Sequence, residues 1–205
     1  KPHFDVHVLI RSRAGEGDFL GRPAEFAFAA DEIELMVQQA EETVSAGAAG
    51  VVIGALTESG QLDVPALETL RDAALRSAQQ AIRGLTLTCH RAVDAMAEPP
   101  DRLEAVTTLL GLGFHRVLTS GGAARARDGA AELAAMVRAG EGLLDVCAGG
   151  GVRPVDIPDL ARATGLSDVH LSARRRPGAP VELDAPSTDT DPAIAAAAVD
   201  AAGAL

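Results

Sequence analysis

The sequence predicts an α/β fold built on a parallel sheet, and three observations carry that reading. Apolar runs of strand length alternate with helix-length segments six times, at a spacing of roughly 25 to 35 residues. One run, residues 50–56 (GVVIGAL), is continuously apolar, as a strand buried on both faces should be. Each run ends in a polar or glycine-rich tip before an alanine-rich helix begins. Residues 85–94 (LTLTCHRAVD) show the pattern: two leucines alternate with two threonines, then His90, Arg91 and Asp94 arrive together. Hydrogen-bonding groups at the C-terminal end of a parallel strand are where sites form on such scaffolds.

The elements follow in order. Residues 7–11 read as a strand with Arg11 and Arg13 at its tip. Residues 14–30 form a loop with Glu16, Asp18 and three of the five Phe residues. Asp31 is placed as an N-cap with Glu34 three residues on. Ile33, Met36, Val37, Ala40 and Val44 then recur at helical spacing, and Gly47 stops the helix. After the strand over 50–56, Asp63 caps a helix over 64–81. Beyond the strand over 85–90 come a helix over 101–110 and a strand over 116–120, which ends in Gly121-Gly122. A helix over 128–139 leads to a strand over 143–148, ending in Gly149-Gly150-Gly151-Val152. A short helix over 156–163 precedes a strand over 168–172. Residues 174–192 read as a loop, and Pro192 opens a closing helix to Ala202. A doubly wound sheet and a (β/α)8 barrel both fit this string. The chain reads as a single domain over 1–205. Six strands are two short of a barrel, so a barrel implies about two β/α units ahead of Lys1.

Composition excludes several functions. The chain has 205 residues, a net charge of −11 and no Trp or Tyr. Such a balance argues against a nucleic-acid binder, which needs basic patches and stacking platforms. No run reaches the roughly 18 apolar residues of a membrane span. The start, Lys1-Pro2-His3-Phe4-Asp5, has no signal-peptide core, which sets the expectation of a cytoplasmic protein. The two cysteines, Cys89 and Cys147, form no CxxC and fit buried thiols in a reducing compartment.

The strand tips carry the candidate chemistry. Arg11, Arg13 and Arg91, with Ser120, Gly121 and the run Gly149, Gly150 and Gly151, make an anion site: arginine grips carboxylate or phosphate, and glycine amides approach it closely. In an enzyme reading, His90 is the general acid/base, Asp94 orients it, and His170 or Ser172 stabilises developing charge on a small anionic or phosphorylated substrate. Alternation puts His170 and Ser172 on one face. A metal reading takes Cys147, His90 and His170, since sulfur with imidazole suits copper or zinc. Against it, Cys89 and Cys147 also read as small buried hydrophobes, and no HxH or Met-rich run is present. His3, His7 and His115 look peripheral.

Seven motifs together resemble the CutC copper homeostasis family. They are residues 8–19 (VLIRSRAGEGDF), 32–36 (EIELM), 50–57 (GVVIGALT), 90–94 (HRAVD), 116–121 (RVLTSG), 149–152 (GGGV) and 170–173 (HLSA). The resemblance implies a cytoplasmic TIM-type (β/α)8 barrel that binds copper, is often oligomeric, and has two further strands before Lys1. This chain departs from the family pattern at Ser12, where a Pro is usual, and at Cys89, where an aromatic is usual. It departs again at Cys147-Ala148 in place of Met-Pro, at Gln39 in place of Asp and at Asp156 in place of Asn. A cysteine in place of methionine at 147 keeps a soft sulfur there.

Overall fold

Six parallel strands lie side by side in strict chain order: β1 (His7–Leu9), β2 (Gly50–Ile53), β3 (Thr86–Cys89), β4 (Arg116–Thr119), β5 (Asp145–Ala148) and β6 (Asp168–Val169). A doubly wound sheet must reverse its strand order at a switch point. This one never does, so the sheet is an arc of a (β/α) barrel with β1 and β6 at its ends. The computed structural model describes residues 4–13, 20–174 and 190–203. Glu16 and Asp18 of the loop expected over 14–30, and most of the loop expected over 174–192, lie outside the described residues. The neck of that loop is closed by a bridge between Arg174 and Thr190 and by the Asp191 amide donating to Ala173 O at 2.6 Å.

The register fixes the two faces. Ile53, Cys89, Val117 and Val146 are level with one another and face outward, all buried. Onto them pack α1 (Ala30–Ser45), α2 (Val64–Gln80), α3 (Pro99–Gly111), α4 (Ala130–Ala139) and α5 (Ile157–Thr164), through Met36, Leu67, Leu70, Leu109, Met136 and Ile157. Buried alanines such as Ala40, Ala74 and Ala105 let the helices approach closely. The helix α6 (Pro192–Ala202) follows, capped by Asp191 accepting the Ala193 amide. The other face of each strand lines the concave side of the arc: Leu9, Val52, Thr88 and Arg116 on one level, Leu118, Cys147 and Asp168 on the next. Leu9 is 59 % exposed there. Among the described residues no helix is long and apolar enough to cross a membrane.

Several boundaries differ from the sequence reading, each for a local reason. Asp31 is not the N-cap of α1. The cap is Ala29 and the helix starts two residues earlier, because Glu32 reaches back to accept the Ala29 amide at 2.9 Å while Asp31 accepts the Glu32 amide. Asp63 does cap α2, accepting from Ala66 N. The Asp101 start moves to Pro99, where a missing N–H costs nothing. The last strand ends at Val169, and its ladder extends one bond further, from His170 N to Ala148 O. Ser172 therefore lies past the strand, and alternation no longer ties it to His170.

Candidate functional site

The site begins at the tip of β3. His90 continues the ladder through its amide to Ile53 O, then the chain turns into a short 3-10 helix, Arg91–Ala95. The His90 ring is buried, 5 % exposed, and lies on Gly54 of the neighbouring strand. It packs against Phe26 with centroids 5.2 Å apart. Its Nδ1 accepts the Ala92 amide at 3.1 Å, which assigns the ring proton to Nε2. That Nε2–H is buried and finds no acceptor among the described residues.

Burial first, and the positive charge of Arg11 second, push the His90 pKa down to about 4. The ring is therefore neutral at physiological pH. This makes acid denaturation a test of the geometry. The unfolded histidine protonates near its ordinary 6.5, while the folded one stays neutral until about pH 4. Between those values the unfolded chain binds more protons, so stability falls as the pH is lowered through the window. The expected loss is about 3 kcal/mol. Urea unfolding at pH 7 and pH 4.5 should show it in the parent chain and a much smaller difference in His90→Phe.

Asp94 does not orient His90. Its side chain is 0 % exposed and serves the next strand tip instead. It accepts from Thr119 Oγ1 at 2.6 Å, from the Ser120 amide at 2.9 and 3.0 Å, from the Gly122 amide at 3.1 Å and from Arg91 Nε at 2.7 Å. Arg91 reaches on from there. Its Nη2 donates to Ser120 Oγ at 2.9 Å, and its guanidinium occupies the space where Gly150 would carry a Cβ, 3.1 Å from that position. One arginine thus ties the tips of β3, β4 and β5 together. Gly121, at φ +69, turns the chain back over α4.

The other expected anion binders have partners of their own. Arg11 donates to Glu25 O at 2.9 Å, pairs with its carboxylate at 3.3 Å and stacks on Phe26. Arg13 donates to Ala27 O, pairs with Glu32 at 3.3 Å and stacks on Phe28. Both pin the segment that follows β1, whereas Arg91 ties the tips of β3, β4 and β5. His170 is exposed beyond β6, where desolvation and then Arg91 lower its pKa. Ser172 is also exposed, and among the described residues it joins none of these hydrogen bonds.

The metal trio is not gathered either. Cys147 and His90 share the concave face but stand two strands apart, about 10 Å. Among the described residues no three His, Cys, Asp or Glu side chains come together as a metal would need. Burial pushes both thiols up to about 12, so without a metal both are protonated at neutral pH. The donor set among the described residues does not fit a copper cage.

Two residues escaped the sequence reading. Thr119, 0 % exposed, faces the helices yet donates to Asp94 and accepts the Gly121 amide. Arg102, 6 % exposed, donates to Met96 O at 2.6 Å, pairs with Glu132 and lies against Gly122. Both left a signal: a threonine at an outward strand position, and an arginine on the stripe shared with Ala105, Val106 and Leu109.

Known proteins resemble this chain in sequence and in fold. The model described as the CutC family matches residues 2–175. The family protein CutC of Xanthomonas campestris pv. campestris (strain 8004) is 38 % identical over 169 residues, covering 82 % of this chain and 62 % of its own. That of Porphyromonas gingivalis (strain ATCC 33277) is 39 % identical over 169 residues, covering 82 % and 60 %. The chain thus spans about three fifths of the length of these relatives. The crystal structure of the Streptococcus agalactiae CutC, a protein named for copper homeostasis, superposes with a TM-score of 0.69 at 25 % identity, over 81 % of this chain and 71 % of that one. With the matched residues running from before β1 to beyond β6, the chain belongs to the CutC family.

Proposed function

We propose that this chain serves copper homeostasis, the role for which its S. agalactiae relative is named, by binding a small anionic ligand at the C-terminal mouth of the sheet. It does so in the cytoplasm, a reading its two unpaired cysteines support. The observation that carries the ligand reading is His90. A buried imidazole whose Nδ1 is already engaged offers only an N–H donor, and that donor needs an oxygen acceptor. A metal would need the lone pair that this tautomer does not have at Nε2. For the same reason His90 is no general base: it donates a hydrogen bond as a neutral imidazole and can polarise a carbonyl or an oxyanion. Asp94 fixes Arg91, and Arg91 shapes the mouth.

The test pairs two titrations. Cu(I) is titrated under a competing chelator into the parent chain and Cys147→Ser, and a set of carboxylated and phosphorylated metabolites is screened by thermal shift against the parent and His90→Phe. The expected result is weak, superstoichiometric copper binding that Cys147→Ser leaves unchanged, and a metabolite whose affinity drops about tenfold in His90→Phe, the worth of one buried hydrogen bond. Tight, stoichiometric copper lost in Cys147→Ser would overturn the reading.

A further inference from the structure

We propose that the amides of Gly150, Gly151 and Val152 hold the phosphate of a phosphorylated metabolite, with Arg125 as its counter-charge. The proposal rests on the anionic-ligand reading above and names the class of that ligand.

The cradle follows from the backbone. Gly150 sits at φ +103 and Gly151 at φ +64, conformations that strain any residue with a Cβ. This turn leaves three consecutive amides, of Gly150, Gly151 and Val152, without a hydrogen bond to the described residues. Their neighbours on both sides are engaged. The Gly149 amide donates to Thr119 O at 2.8 Å and the Arg153 amide to Asp156 at 3.2 Å, so the free donors are confined to one short arc. The arc is held rigid, because Gly150 O accepts the Ala126 amide at 2.9 Å and the Arg91 guanidinium backs Gly150. Donors fixed before the ligand arrives need no reordering on binding. Gly151 is exposed, which leaves the arc open to solvent.

Charge selects the occupant. Arg91 is matched by Asp94, Arg153 by Asp156 and Arg127 by Asp128. Arg125 has no carboxylate within ion-pair reach among the described residues, and its Cγ lies 3.4 Å from where Gly151 would carry a Cβ. His170 flanks the other end, its Cβ 3.6 Å from the corresponding point on Gly149. In a chain of net charge −11, an unmatched arginine beside three free amides is a local exception that attracts an anion. A phosphate monoester presents three terminal oxygens to three amides, where a carboxylate has two. The anion subsite thus moves from the arginines of β1 to Arg125, a residue with no strand-tip signature in the sequence.

The experiment is calorimetric titration with inorganic phosphate and, separately, with succinate, at matched ionic strength. The chains are the parent, Arg125→Ala, Arg125→Lys and, as a distant exposed cation on α4, Arg138→Ala. Phosphate should bind the parent and Arg138→Ala alike, weaken about tenfold or more in Arg125→Ala and less in Arg125→Lys, with unchanged melting temperatures. Phosphate binding that is equal in Arg125→Ala would overturn the inference. With His90→Phe titrated as a fifth chain, succinate binding that is lost in it, with no phosphate binding at all, would overturn the inference and leave the mouth reading standing. Binding of neither anion would sink both.

Discussion

Asp94→Ala is expected to destabilise the chain by about 3–5 kcal/mol, the cost of removing one partner from a buried charged pair. The carboxylate is fully buried and is the only acceptor seen for the Ser120 and Gly122 amides among the described residues. Its loss takes the acceptor from those two donors, from the Thr119 hydroxyl and from the Arg91 Nε–H. A domain of this size holds roughly 5–15 kcal/mol in total, so much of the margin goes with one side chain. Asp94→Asn keeps an acceptor and the shape and should lose less. Urea unfolding measures both, and a loss under about 1 kcal/mol in the alanine variant would show that the strand tips hold together by other means.

Gly54→Ala is expected to damage stability and ligand binding together. A Cβ at position 54 would sit 2.5 Å from His90 Cε1, 2.6 Å from Nδ1 and 3.0 Å from Nε2. The ring has little freedom to retreat, since Phe26 packs on it and the Ala92 amide holds Nδ1. Overpacking of this kind costs about 1–3 kcal/mol. The displaced Nε2 should also lose its aim, so any ligand that senses His90 binds about tenfold more weakly or worse. The control is a double-mutant cycle: in a His90→Ala background the added methyl finds room, and its stability cost should largely vanish. If the cost is the same in both backgrounds, the contact between Gly54 and His90 does not limit the site.

The sheet was legible because its outward face is so uniform. Val51, Ile53, Leu87, Val117 and Val146 leave little choice of face, and glycines or polar tips mark where each strand stops. Strand order was not legible. Both candidate architectures share the same alternation of elements, and only the pairing of each strand with the next in sequence separates them. At the site, the sequence shows which residues stand at the tips and hides which of them meet. His90, Arg91 and Asp94 look like a cluster because they are close in the chain. In space Asp94 turns away to β4, drawn by two backbone amides that no side-chain pattern advertises. Arg11 and Arg13 look like anion binders because Glu25 and Glu32, their real partners, lie in later segments. Thr119 and Arg102 were hidden for the opposite reason, each a polar group on a face that alternation or helical spacing assigns to the core.

The unbroken strand order has a consequence for how the protein is made. Among the described strands none waits for a distant partner: the longest register, His7 with Gly50, spans about 43 residues, and each later strand joins the one just completed. Topologies of this kind reward local pairing early and suit folding in step with translation. The mouth is then built in the order of synthesis. Asp94 leaves the ribosome before its amide donors, and its burial can be compensated only once Ser120 and Gly122, 26 and 28 residues later, have followed. The tip of β3 therefore reaches its final form only after β4 has been made.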